Sequence, residues 1–262
     1  MHVAAACLAT ALVVLMVGGQ PLLGRRRYMR LVQRIRTDPM ARRRHYGRGI
    51  ASVWVYVGIV VIVGLLAGRR AAAIGLTLHH LKPGAVTTGL EFIVLVAAGL
   101  VVTTVMIWRV GTGVLDRLRR QVSGFIELVP RTRNERLMFA GVAVTAGICE
   151  EILYRGFGVA YLKWLQPGVG RLPVIVVIGL AFGIAHLYQG PRNVILTGIV
   201  GGVFTWVTLA TGTLAPAIVV HALVDLRIVA LPTALVEPPA ADQLAENESS
   251  RGVRPADGGA QT

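Results

Sequence analysis

The chain has 262 residues, of which 54% are hydrophobic and only 15% are charged, and its formal net charge is +14. A soluble domain carries about 25% charged residues, so this composition and a mean hydropathy of +0.64 exclude a secreted or cytosolic globular enzyme. Two cysteines, Cys7 and Cys149, exclude a disulfide scaffold and a cysteine-rich zinc domain. The excess charge is arginine between apolar runs, without a nucleic-acid-binding motif, so we expect no nucleic-acid partner.

Apolar runs of membrane-spanning length follow one another along the chain. About 17–25 apolar residues cross a bilayer as a helix. The first run lacks the basic start of a signal peptide, which favours a retained helix. The sequence therefore predicts an all-α fold, a polytopic transmembrane bundle of about seven spans, at residues 3–19, 50–68, 88–108, 137–165, 172–188, 193–210 and 213–231.

The segments between these runs predict the topology. Residues 25–48 and 109–136 are rich in arginine, and we expect both to be cytoplasmic loops, the second partly amphipathic helix. This places the N-terminus outside and the C-terminus in the cytoplasm, and the composition favours a bacterial plasma membrane. Residues 232–262 are rich in Pro, Ala, Glu, Asp, Gly and Ser, which predicts a disordered cytoplasmic tail.

Ionisable side chains interrupt three of the last four spans. Such a group costs about 2.5–3.5 kcal/mol in the hydrocarbon core, so it is a functional candidate by default. Six of them cannot all face lipid, and we expect them to converge in one interior. They are Glu150, Glu151 and Arg155 in the fourth span, His186 in the fifth, and His221 and Asp225 in the seventh.

Helical spacing assigns partners to some of these groups. Glu151 and Arg155 are four residues apart with the acid first, which favours an ion pair. Glu150 is rotated from Glu151 by about 100° and has no partner in its own helix. His221 and Asp225, also four apart, share a face.

The fourth and fifth spans are predicted to form an antiparallel hairpin that brings two ionisable residues to the same depth. Glu150 and His186 each lie 18 residues from Gly168, at the predicted turn, so they face each other at one depth of an antiparallel pair. Phe182 lies one turn before His186, where its ring can pack against the imidazole.

A carboxylate and two imidazoles from three helices permit two hydrolytic mechanisms. Glu150, His186 and His221 can be three ligands of a catalytic zinc whose fourth position holds water. Alternatively, Glu150 acts as a metal-independent general base, with His186 assisting and His221 polarising the scissile carbonyl. A buried polar network that only fixes helix packing is the non-functional alternative.

Three motifs occur in order, each on its own predicted span. They are Glu-Glu-x-x-x-Arg at 150–155, Phe-x-x-x-His at 182–186 and His-x-x-x-Asp at 221–225. The set resembles the CPBP family of intramembrane proteases, which includes the CAAX prenyl-protein endopeptidases and the bacterial ABI proteins. The resemblance implies a catalytic membrane domain at residues 137–231, after an N-terminal three-span region at 1–136.

The resemblance also implies a role for each motif residue. Glu150 and His186 would activate the water, while His221 and Asp225 would bind the oxyanion or hold its donor. Prenyl-processing members carry Asn at the last position, whereas an ionised Asp225 cannot donate a hydrogen bond. This difference favours Asp225 as a group that orients or charges His221.

Glu151 and Arg155 would support the site. The function that the resemblance implies is an intramembrane endopeptidase that hydrolyses a membrane-associated or lipid-modified protein or peptide. A non-proteolytic peptide-binding or bacteriocin-immunity protein is the alternative. A transporter is disfavoured because the chain has no inverted repeat. The expected partners are the substrate and the lipid bilayer, and the pattern assigns no oligomeric state.

Overall fold

The computed structural model describes residues 3–68, 83–109 and 123–231. The predicted tail at 232–262, most of the predicted loop after the second span and part of the second basic segment lie outside these ranges. Within the described residues the regular structure is helical, which confirms the all-α prediction. Seven helices lie there: α1 Val3–Arg34, α2 Ala41–Leu66, α3 Ala85–Arg109, α4 Arg133–Leu165, α5 Arg171–Ala185, α6 Pro191–Thr211 and α7 Ala215–Leu226.

Each of the seven predicted spans coincides with one helix, but the helices differ in length. Among the described residues, five helices, α1 to α4 and α6, are long and apolar enough to cross a membrane. The other two are shorter, with 15 residues in α5 and 12 in α7, and each is followed by a 3₁₀ turn, at Leu187–Gln189 and Arg227–Ala230. The chain is thus a membrane helix bundle, while the count of seven spans is not confirmed.

The prediction that residues 25–48 form a loop is wrong. Helix α1 continues through a π-helical turn at Leu15–Gly19 and ends only at Arg34, and α2 already begins at Ala41. Arginine is a good helix former, so a fall in hydropathy marks the end of the apolar stretch and does not end the helix. Most of this basic segment is therefore helical surface.

Polar contacts tie the arginine-rich helix ends together at one end of the bundle. Helix α4 starts with a capping box between Thr132 and Glu135. The Arg42 guanidinium, near the start of α2, lies 3.6 Å from that Glu135 carboxylate and 2.9 Å from Glu127. Helices α2 and α4 therefore start at the same end, which we call the basic end. Arg136 donates to backbone carbonyls just after α7, so α7 finishes there as well.

Helices α5 and α6 pack backbone against backbone through small residues. A Cβ added at Gly183 would lie 2.5 Å from the Val194 carbonyl oxygen, and one at Gly179 would lie 2.8 Å from the Gly198 carbonyl oxygen. Glycines let membrane helices approach this closely. This contact fixes the position of the C-terminal end of α5, directly before His186.

Helix α4 contains a wide turn. Residues Ile152–Gly158 are π-helical, between two regular segments, Arg133–Glu151 and Val159–Leu165. A π-helix bonds residue i to i+5, so a residue four positions along lies closer to the same angular position than in an α-helix. The wide turn contains Arg155, whose guanidinium donates to Glu151 at 2.9 Å.

Candidate active site

Side chains from α4, α7 and the end of α5 meet around one carboxylate oxygen. Oε2 of Glu150 lies 3.9 Å from Nε2 of His186 and 3.9 Å from Nε2 of His221. Oδ2 of Asp225 lies 3.7 Å from the same His221 nitrogen. These distances exceed a direct hydrogen bond, so the four groups surround a small space and do not close it.

The backbone at the end of α5 sets the orientation of His186. Its Nδ1 lies 2.8 Å from the Phe182 carbonyl oxygen, one turn earlier. A carbonyl oxygen only accepts, so Nδ1 carries the hydrogen and donates it. In the neutral ring, Nε2 is then an acceptor that faces Glu150. The Phe182 ring packs 4.7 Å from the imidazole, as expected from the sequence.

Glu151 contacts two partners in the buried interior. Its Oε1 accepts from Nη1 of Arg155 at 2.9 Å and from Nδ1 of His221 at 2.7 Å. The side chains of Glu151 and Arg155 are 0% exposed. The sequence predicted the first contact but not the second, because spacing along one helix carries no information on which neighbouring helix a side chain faces.

Aromatic rings and a backbone carbonyl complete the surroundings of Arg155. Its Nη2 donates to the Gly201 carbonyl oxygen at 2.9 Å, and its guanidinium carbon lies 4.2 Å from the centre of the Phe182 ring. The Phe204 ring lies 5.5 Å from the His221 imidazole. Arg155 therefore connects α4 to α6 and supports the ring that packs on His186.

Of the two roles that the sequence suggests for Asp225, to orient or to charge His221, its position agrees with the second. The hydrogen-bond partner of the imidazole is Glu151, which binds Nδ1, so Glu151 sets the ring orientation. Asp225 lies at 3.7 Å on the Nε2 side, on the same side as Glu150. It adds negative charge beside that nitrogen.

The two adjacent glutamates differ in what their oxygens contact. In both glutamates Oε2 is buried and has no hydrogen-bond partner among the described residues, but Oε1 of Glu151 accepts two hydrogen bonds, from Arg155 and His221. The Glu150 side chain is 24% exposed and that of Glu151 is 0% exposed. Glu150 is thus the more exposed of the two acids, and Glu151 is the one held by an ion pair.

A cavity of about 1050 Å³ connects this cluster with the basic end of the bundle. Its inner part is lined by Glu150, His186, His221 and Asp225, and its outer part by faces of α1 and α2. From the sequence we assigned no site residue to these two helices. The spacing of Arg27, Arg30 and Arg34 on one face of α1 was the signal that could have identified them as lining residues.

The donor set of Glu150, His186 and His221 has the chemistry of a zinc site but not its geometry. Ligands of a tetrahedral zinc lie about 3.3 Å apart, whereas the oxygen is 3.9 Å from each nitrogen. In the described part of the chain no group of three or more His, Cys, Asp or Glu side chains is arranged to hold a metal ion. Zinc binding therefore stays a prediction.

Comparison with known proteins supports the motif resemblance. Residues 132–227 match the model of the family described as Type II CAAX prenyl endopeptidase Rce1-like, which is a protease family. No curated protein and no solved structure matches the chain. The matched range contains all six ionisable residues of the cluster. The match over residues 132–227 therefore agrees with the three motifs in indicating a CAAX-type membrane protease domain in this part of the chain.

Proposed function

We propose that the chain is an intramembrane endopeptidase that hydrolyses a peptide bond in a membrane-associated or lipid-modified substrate, with Glu150 as the general base. One observation carries the proposal. The partnerless Oε2 of Glu150 lies 3.9 Å from both imidazole Nε2 atoms, at the inner end of a cavity of about 1050 Å³. The family match supports a protease. Hydrolysis with Glu150 as the general base requires only side chains of this chain and a water molecule.

The mechanism places a water molecule between Glu150 and His186. Two polar atoms 3.9 Å apart can each bond one water at about 2.8 Å. Glu150 takes one proton of that water, and Nε2 of His186 accepts a hydrogen bond from the other. The water oxygen then attacks the scissile carbonyl carbon, and the proton held by Glu150 passes to the leaving amine nitrogen as the C–N bond breaks.

His221 is the donor for the oxyanion in this mechanism. Its Nδ1 donates to Glu151, whose negative charge stabilises a positively charged imidazole. The Nε2–H of that ring then points into the space beside Glu150 and can donate to the carbonyl oxygen as it becomes negative. Glu151 and Arg155 act as positioning residues, because they contact His221 and Phe182 and do not line the cavity.

The test compares the membrane peptides of cells that make the wild-type chain with those of cells that make the Glu150→Gln variant. Glutamine keeps the shape and loses the base, so we expect a folded variant and at least one peptide product that disappears. Equal products from both chains would contradict the proposal. A folded wild-type chain that binds peptides without cutting them would favour the peptide-binding or immunity alternative.

Metal dependence is decided with the purified active chain. The general-base mechanism expects full activity without stoichiometric metal and in the presence of chelators. Loss of activity on chelation, with recovery on adding zinc, would instead support the zinc alternative.

We also propose that the basic end of the bundle faces the cytoplasm, from the arginine content of the helix ends. A reporter inserted at residues 35–40, between α1 and α2, and one fused after residue 232 should both read cytoplasmic. Readings on opposite sides would break the proposed topology.

A further inference from the structure

Arginines line the outer part of the catalytic cavity. On α1, Arg27, Arg30 and Arg34 follow one another at spacings of three and four residues, which is one helical face, and all three line the cavity. On α2, Arg44 and Arg48 line it as well. Arginines from two helices, all of them exposed, therefore lie around the outer part of the cavity.

Few acidic groups balance this charge. Among the described residues, Asp38 is the acid that lines the outer part of the cavity, and it forms an ion pair with Arg44. Within 4.0 Å, no carboxylate of the described part of the chain forms an ion pair with Arg27, Arg30, Arg34 or Arg48. The Asp38 carboxylate interacts with Arg34 at longer range, and Arg27 donates to the Ser52 hydroxyl at 3.5 Å. The positive charge of these four arginines therefore exceeds the negative charge beside them.

The geometry of α4 gives the distance between the arginines on α2 and the reacting groups. Phe139 and Glu150 both line the cavity and are eleven residues apart, which is about 16 Å of helix. The Phe139 ring lies 5.6 Å from the ring of Tyr46, which sits between Arg44 and Arg48 on α2. An extended peptide advances about 3.3 Å per residue, so about five residues cover this distance.

A row of aromatic rings shows that α1 belongs to the same site. The ring of Tyr28, beside Arg27, lies 6.2 Å from that of Tyr188, and Tyr188 lies 6.0 Å from His186. Apolar and aromatic surface between the arginines and the acid suits an uncharged stretch of substrate.

We propose that the cavity selects a peptide that carries acidic side chains about five residues from the bond to be cut, and that Arg27, Arg30, Arg34 and Arg48 bind those carboxylates. This inference rests on the proposed function and names its substrate class. These arginines line the same cavity as Glu150, which favours a substrate that extends from that acid over an anionic lipid as their ligand. Arg25 and Arg26, on the same helix, do not line the cavity.

The chain offers a matched control for a binding test. The cavity variant is Arg27→Gln/Arg30→Gln/Arg34→Gln. The control variant is Arg25→Gln/Arg26→Gln/Arg36→Gln, which removes the same charge from the same segment at positions that do not line the cavity. Any general effect on membrane topology is therefore equal in the two.

The probe is a fluorescent peptide of five alanine and leucine residues followed by three glutamates, and its partner has three glutamines instead. Both are titrated against the full chain, carrying Glu150→Gln, in nanodiscs of neutral phosphatidylcholine at low salt. We expect the glutamate peptide to bind about tenfold more tightly, which corresponds to about 1.4 kcal/mol. The cavity variant should lose this preference, the control variant should keep it, and added salt should weaken it.

Equal binding of the two peptides, or equal loss in the two arginine variants, would overturn the inference. The competing outcome is that the chain holds phosphatidylglycerol through purification and that the cavity variant loses this lipid. If this is found and the chain shows no preference between the two peptides, the inference is overturned in favour of a lipid ligand. Because binding is measured with an inactive chain, the result does not depend on hydrolysis. Failure of the wild-type chain to cut peptides would refute the proposed function and leave the charge preference measurable.

Discussion

Replacing Glu151 by alanine removes the partner of two side chains at once. Arg155 is left as an unpaired charge in the interior, which costs about 3–5 kcal/mol. Nδ1 of His221 loses its acceptor, which costs about 1–3 kcal/mol more. Replacing Arg155 by alanine is less costly, because Glu151 keeps His221 at 2.7 Å and the Gly201 carbonyl oxygen keeps the Thr205 hydroxyl at 2.8 Å.

The assay is the thermal unfolding of each purified variant in detergent. About 1 kcal/mol shifts Tm by about 2–4 °C in a chain of this size. We therefore expect Glu151→Ala to lower Tm by at least about 10 °C, and Arg155→Ala to lower it by several degrees less. Combining Glu151→Gln with Arg155→Gln removes both charges and should recover part of the loss.

Glu150→Gln is the control, and its Tm should stay within about 2 °C of wild type, because Oε2 of Glu150 has no partner to lose among the described residues. A Tm loss in Arg155→Ala equal to or greater than that in Glu151→Ala would refute the reasoning that Glu151 stabilises two partners.

Two further predictions concern the imidazoles and the packing behind them. His186→Ala and His221→Ala should each abolish cleavage while the chain still inserts normally into the membrane. Of the two variants, only His221→Ala should lower Tm, because it removes a hydrogen-bond partner of the buried Glu151. Cleavage activity in both variants would contradict the mechanism. Gly183→Ala should lower both Tm and activity, because its Cβ would lie 2.5 Å from a backbone oxygen of α6, whereas Gly58→Ala, with open space around its Cα, should be neutral or slightly stabilising. Equal behaviour of the two glycine variants, measured by Tm and cleavage side by side, would show that the α5–α6 contact does not control the site.

Contacts within one helix, and depth along a hairpin, were predictable from the sequence. The Glu151–Arg155 pair followed from its spacing, and the meeting of Glu150 with His186 followed from their equal distance to the turn at Gly168. That turn exists, with Gly168 at a φ of 85°. Both predictions rest on the regular rise of a helix, which is the same in every sequence.

Contacts that depend on helix rotation were not predictable. The hydrogen bond from His221 to Glu151 and the cavity face of α1 both require knowing which side of one helix faces another. In a chain that is apolar on most sides of its helices, hydrophobic periodicity does not mark that side. Hydropathy also misplaced the end of α1, because arginine extends a helix beyond the apolar stretch.

Because of the π-helical turn at Ile152–Gly158, the number of residues in α4 affects the site independently of which residues they are. A π turn takes up one more residue than an α turn, and the segments on both sides are ordinary α-helix. Deleting one residue there would let the helix close regularly, while the flanking segments keep the faces with which they pack. Such a shortened chain would still build the bundle, but the side chains within the turn, Arg155 among them, would take new angular positions around the helix axis. In this helix, therefore, an insertion or deletion of a single residue is a change to the chemistry of the site, even when every acid and base is retained.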